Sequence, residues 1–316
     1  MGENKINTSK FASFLNNRKT ISYATLVVIL IINFLLLRVF YVSFFPDDFH
    51  FTKELSQEKR NLYKINPLSG FKIDSIQPEL SIKNLKMIGS ESIYGVTGKN
   101  QEERLQGMVL RVLRFQNISK VVEKYYDLPD NIILAMIMQE TGGAEFLPNS
   151  SDDGGIGLCH MQGSTSREFN LATYKNCNKL VCYQHGKELR KLIADLNKDR
   201  KLLIYHDERF NPVINIDAVG RILAYHRDGA QTEDTPIATA ICGYSGRKNF
   251  PKYYENVMYF LDFLNDKEFI ESVKQKFNSL NKNLTIDDEK ADFDKFILYN
   301  QSLNRNYGLD LLKEVY

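Results

Sequence analysis

The sequence predicts a mostly α-helical protein. Three observations carry that class: an N-terminal apolar run of bilayer-spanning length, three successive segments after residue 100 with apolar residues three and four apart, and more segments of that spacing beyond them. The 316 residues suffice for one well-buried domain with additional segments. The 41 basic and 39 acidic residues balance to a net +2, so no global charge recommends nucleic acid as a partner. Tyr and Phe are plentiful (17 and 20) while Trp is absent, a mix that suits both an ordinary core and a groove with ring-stacking platforms.

Residues Ile21 to Leu37 are almost wholly apolar, and after Arg38 the run resumes as VFYVSFF up to Pro46. A bilayer core of ~30 Å needs roughly 20 helical residues, and Arg38 lies near enough to one end to snorkel. The following segment lacks the small-x-small pattern of a cleaved signal peptide, so the expectation is an uncleaved anchor over 21–45. Lys5, Lys10, Arg18 and Lys19 precede it and Asp47 and Asp48 follow it, which puts residues 1–20 in the cytoplasm and the rest outside.

Residues 46–100 read as a charged stalk with scattered Pro and Gly. Helical patterns then begin with EERLQGMVLRVLRFQ, ISKVVEKYY and NIILAMIMQE, the last with Asp130 as its expected N-cap. Further helices are expected near 185–198, 215–227, 235–242 and 253–264. The block 101–265 is the candidate domain, and 266–316 reads as a helical, polar, separable tail. In an oxidising exterior, Cys177 and Cys182 (CNKLVC) can close a short loop, with four free thiols as the alternative. No zinc-ligand spacing is present, and neither metal nor cofactor is implied.

On a helix starting near Asn131, residues Ile133, Met136, Ile137 and Glu140 share a face, so a carboxylate continues an apolar stripe. Gly142 and Gly143 follow and offer a C-cap, which puts Glu140 in the last turn. Apolar surroundings and a helix C-terminus both disfavour a carboxylate anion, and a general acid needs its proton at neutral pH. A helix-end Glu that turns to solvent or pairs with a cation is the commoner situation.

Order along the chain adds to that reading. ISKVVEKYYDLPDNIILAMIMQETGG, GGIGLCHMQGSTSREFNL, NPVINIDAVGRILAYH and TPIATAICGYSGRKNFPKYYENVMYF, in sequence, resemble the lytic transglycosylases whose catalytic domain has a lysozyme-like, goose-type helical fold. The resemblance covers roughly residues 115–262. It implies that Glu140 is the catalytic acid and base, with Thr141 at the family's following Ser. Gly157 and Leu158 match the start of the Gly-Leu-Met-Gln loop. His160 takes the loop's Gln position without a gap, and Gln162 takes it with a two-residue insertion. Tyr244 falls at the Asn of an Ala-Tyr-Asn-Ala-Gly segment that helps to bind sugar, and Tyr253 and Tyr254 match the aromatic positions of the last helix.

In function, the resemblance implies cleavage of the bond between N-acetylmuramic acid and N-acetylglucosamine in peptidoglycan, with closure of a 1,6-anhydro ring. The partners implied are glycan strands, the cytoplasmic membrane through 21–45, and a protein of an envelope complex. A hydrolase on the same fold, with Asp152 or Asp153 orienting water, and a non-catalytic peptidoglycan-binding scaffold are the alternatives; an ordinary solvated turn is the simpler role for the Asp pair.

Overall fold

The computed structural model describes residues 57–69, 85–89, 100–230, 235–246, 251–283 and 292–298, together with the backbone of 285–286 and 289–290. The expected anchor over 21–45 lies outside the described residues, and among those described no helix is long and apolar enough to cross a membrane. The chain divides into two units, Met1–Glu58 and Lys59–Tyr316, and every residue from Gln101 onward belongs to the second.

Helix α1 (Gln101–Leu113) starts at Asn100, whose side chain accepts from the Glu103 amide, and Glu102 and Glu103 oppose the positive end of its dipole. After a break at Arg114 and Phe115 comes α2 (Gln116–Tyr125), then α3 (Ile132–Thr141). Two short helices, α4 (Gly163–Glu168) and α6 (Arg200–His206), flank the longer α5 (Tyr183–Asp195). Asn211 caps α7 (Pro212–Gly229), which has Pro212 in its first turn. Next come α8 (Pro236–Tyr244), α9 (Lys252–Asn265) and α10 (Lys267–Asn281), and a short hairpin pairs Thr285 with Lys290 and Ile286 with Glu289. The mostly α class is observed.

Among the described residues of the second unit, helix α3 is central. It packs against α1, α2, α7 and α9, and every residue from Ile132 to Met138 is buried. The expected one-sided stripe is therefore an all-round apolar helix, which is what a central position demands. Its N-terminus also differs from expectation. Asp130 does not cap it; Asn131 occupies the cap position with φ 64° and makes no side-chain cap bond. The carboxylate of Glu123, buried on α2, instead accepts from the amides of Asn131 and Ile133, both at 2.9 Å.

Two of the expected boundaries dissolve in the packing. Leu68, Leu85, Met87 and Ile88 of the stalk sit in the main core, and Tyr63 donates to Asp228 on α7 at 2.8 Å. Val273 and Phe277 of α10, with Phe293 and Phe296 beyond it, belong to that core too. Asn281 exchanges hydrogen bonds with both backbone groups of Lys86 (2.8 and 2.9 Å). The described parts of stalk and tail thus cover apolar surface of the central helices that burial removes from water.

Candidate active site

Glu140 emerges at the C-terminal end of α3 with its side chain 19% exposed, after the buried run Ile132 to Met138 and the half-buried Gln139. The helix stops where the sequence says it must: Gly142 (φ 60°) and Gly143 (φ 81°) adopt left-handed backbone, and the Gly142 amide bonds Met138 O. The carbonyls just past this end are held by buried arginines of α1 and the residues after it. Arg111 Nε donates to Gly142 O at 2.9 Å and Arg114 Nη2 to Gly143 O at 2.8 Å. Arg114 is tied in turn to Glu145 (2.8 Å), which also takes Arg200 in a two-pronged contact of 2.7 and 2.6 Å. Burial, with Arg114 and Arg104 nearby, pulls the Arg111 guanidinium down to about 9. Two cations therefore occupy the negative end of the helix dipole behind Glu140.

Around the carboxylate three segments converge. From α9, the buried Tyr253 donates its hydroxyl to Glu140 Oε1 at 2.5 Å. From the loop after α3, His160 Nδ1 lies 3.6 Å from Glu140 Oε2. From α8, Tyr244 donates to Cys159 O at 2.6 Å, beside His160. Burial, with the Glu140 charge next for Tyr253, holds the Tyr253 and Tyr244 phenols and the Cys159 thiol well above their usual ranges, so all three stay neutral beside the carboxylate.

The loop that carries His160 is a tight hairpin. Ile156 and Met161 form an isolated antiparallel bridge, with Gly157 (φ 78°) and His160 (φ 45°) at the two ends of the turn. A Cβ at Gly157 would stand 2.3 Å from Arg209 O, so no other residue fits. Thr141 anchors the turn by donating to Leu158 O at 2.7 Å, and Arg209 Nη1 donates to both Gly154 O (2.9 Å) and Met161 O (2.8 Å). Arg209 is fully buried and doubly paired with Asp207, which fixes the guanidinium and through it the loop.

No protein-family model, curated protein or solved structure matches this chain.

Of the sequence-predicted residues, the fold gathers Glu140, Thr141, Gly157, Leu158, His160, Tyr244 and Tyr253 into one cluster. His160, the ungapped choice, faces Glu140, whereas Gln162 is the N-cap of α4 with its Oε1 buried and unpartnered. Tyr254 is half-buried against the core, and the Tyr244 hydroxyl is engaged by the loop rather than free for sugar. The Cys177–Cys182 bond is not formed: all four thiols are free. Cys177 Sγ lies against Gly163 at the start of α4, while the Cys182 amide is tied to Asp153 O before α5, so separate elements hold them.

Asp152 pairs with Arg190, and Asp153 accepts from Asn149 and the Gly155 amide, so both serve the turn. Sequence reading missed Arg111, Arg114 and Arg209. In a single sequence a buried Arg looks like a surface one, and the run Asp207-Glu208-Arg209 carries no local signal beyond opposite charges side by side. Among the described residues no group of three or more His, Cys, Asp or Glu is placed to hold a metal. A cavity of about 460 Å³ opens beside the α2–α3 connection, lined by Tyr63, Tyr126, Arg221 and Arg227, and does not include Glu140.

Proposed function

We propose that the protein is a peptidoglycan lytic transglycosylase with a lysozyme-like catalytic domain, exported and held at the cytoplasmic membrane by residues 21–45. The observation that carries the reading is Glu140: a partly exposed carboxyl at the end of a buried helix, with Tyr253 on one oxygen and His160 facing the other. Its resemblance-matched neighbours, distant in sequence, meet around it. In this mechanism Glu140 protonates the bridging oxygen, the substrate's 2-acetamido group stabilises the cation, and the resulting carboxylate takes the proton of the C6 hydroxyl as the 1,6-anhydro ring closes. A single carboxylate then suffices, because the substrate supplies the second group. The hydrolase alternative asks Asp152 or Asp153 to orient water, yet both are occupied in holding their turn.

The test is full-length protein on purified peptidoglycan. Soluble products with 1,6-anhydromuramyl ends are expected, and Glu140→Gln lowers the rate by about 10²-fold or more, the scale of general acid–base catalysis. Ends reducible by borohydride would replace transglycosylation with hydrolysis, and an undiminished rate in Glu140→Gln defeats both. In cells, a tag after Tyr316 is expected to be open to protease added outside the cytoplasmic membrane; a protected tag refutes the location.

A further inference from the structure

The cavity of about 460 Å³ beside the α2–α3 connection lies apart from the Glu140 cluster. It adjoins the chain that leads into α3, whereas Glu140 stands at the far end of that ten-residue helix, about 15 Å along its axis. Its deepest charged wall residue is Arg221 of α7, 1% exposed. Nε of Arg221 donates to Asp217 at 2.9 Å, and Nη1 donates to the carbonyls of Tyr63 (3.0 Å) and Phe169 (2.9 Å). Nη2 is enclosed too, yet it bonds no protein atom. Among the described residues of the wall, no other buried side-chain nitrogen or oxygen lacks a partner. With the other two nitrogens turned to protein acceptors, Nη2 is the donor that Arg221 offers to the cavity, and a buried N–H calls for an acceptor.

The remaining wall says what kind of acceptor fits. Tyr126 donates its hydroxyl to Asp217 (3.1 Å) and Tyr63 donates to Asp228 (2.8 Å), so these two present rings to the cavity. Leu62 and Ile65 stand exposed at its edge. Lys59 and Arg227 share a single carboxylate, the buried Asp228, which lies behind the wall. The described wall thus carries three cations against one acid, Asp127, which is exposed and screened by solvent. A carboxylate beside small apolar groups matches this combination of a fixed guanidinium edge, positive surroundings and aromatic and aliphatic sides.

We infer that this cavity binds the free carboxyl end of a short peptide, with Arg221 Nη2 on the carboxylate and the tyrosine rings and Leu62 against the small side chains. The source is the peptide carried by the glycan strand, which ends in free carboxyl groups. That choice rests on the proposed action on peptidoglycan. The cavity then holds a strand by its peptide at a point remote from the bond being cut, an anchor that changes affinity for substrate and not the chemistry at Glu140.

The experiment titrates full-length protein in lipid nanodiscs with N-acetyl-D-alanyl-D-alanine, its C-terminal amide and octanoate, read by calorimetry. The free acid is expected to bind with Kd of about 1 mM or tighter, and the amide and octanoate about tenfold or more weakly. Glu140→Gln binds as wild type does. Leu62→Asp places an anion at an exposed position of the rim and is expected to weaken the free acid about tenfold, as is Arg221→Lys, which removes Nη2. Melting curves accompany both, and if Arg221→Lys does not fold, Leu62→Asp and the amide decide. On peptidoglycan, Leu62→Asp raises half-saturation several-fold with turnover unchanged, and the difference vanishes on strands stripped of peptide by an amidase. No binding of the free acid, equal binding of the amide or octanoate, an unaltered Leu62→Asp affinity, or a half-saturation that does not depend on the peptide overturns the inference. Cleavage by wild type without peptide binding defeats this inference alone. Peptide binding without cleavage defeats the proposed function and leaves the carboxylate site standing.

Discussion

The Tyr253 hydroxyl makes its one short hydrogen bond to Glu140, with a longer contact of 3.9 Å to Met136 Sδ. Because burial and then the Glu140 charge push that phenol well above its usual range, it stays a donor at any working pH. Tyr253→Phe deletes the donor and keeps the ring. A hydrogen bond to a carboxylate contributes about 1.5–3 kcal/mol, so turnover is expected to fall by about 10- to 100-fold with half-saturation little changed, and the melting temperature to drop by a few degrees. Equal turnover in the variant would show that the contact does not serve Glu140. At this scale the sequence was most informative where a residue type fits a backbone need: Glu140 before two glycines, Gly157 in a turn with no room for a Cβ. It left open His160 against Gln162, because the answer depends on which side chain the hairpin turns towards α3, a matter of turn length that spacing alone does not fix.

Between elements, the decisive contact is the one Glu123 makes from α2 to the start of α3. Periodicity predicts that both helices exist, but a cap donated by the preceding helix has no local pattern, and the nearby Asp130 drew the expectation instead. Short α4 and α6 escaped for a related reason, since six or seven residues hold too few turns to show a period. Glu123→Ala leaves the Asn131 and Ile133 amides without their acceptors, and a buried unsatisfied donor costs about 1–3 kcal/mol. Burial, opposed by the bonds from Ile133, Ser119 and Asn131, raises the Glu123 carboxyl above its usual 4.5. The folded protein therefore binds this proton more tightly than the unfolded chain. That contribution is complete below the unfolded value and is lost as pH rises through the folded one. Urea unfolding is expected to show Glu123→Ala as less stable, with the gap to wild type narrowing as pH climbs from about 4.5; a gap that widens contradicts the assignment.

Across the whole second unit, polarity changes along the sequence suggested divisions that the packing does not observe. A tail whose exposed face is polar reads as separable, although Val273 and Phe277, one turn apart on α10, bury completely. Phe277 stacks near Phe293 (5.8 Å) and Phe296 (5.1 Å), and the adjacent Lys276 donates to Gln106 of α1 at 2.7 Å. Helix α1 supplies the Arg111 that holds the residue capping α3, one position past Thr141. The tail is thus connected through α1 to the end of the helix that bears Glu140. Phe277→Ala removes a buried ring at a cost of about 3–5 kcal/mol, comparable with the net stability of many domains. Because α10 and α1 share the core with α3, calorimetry is expected to give one transition, moved down as a whole, with faster amide exchange in α3 as well as in α10. If the tail were independent, the variant would melt in two steps and α3 would keep its protection, and that pattern would return 266–316 to the status of an appendage.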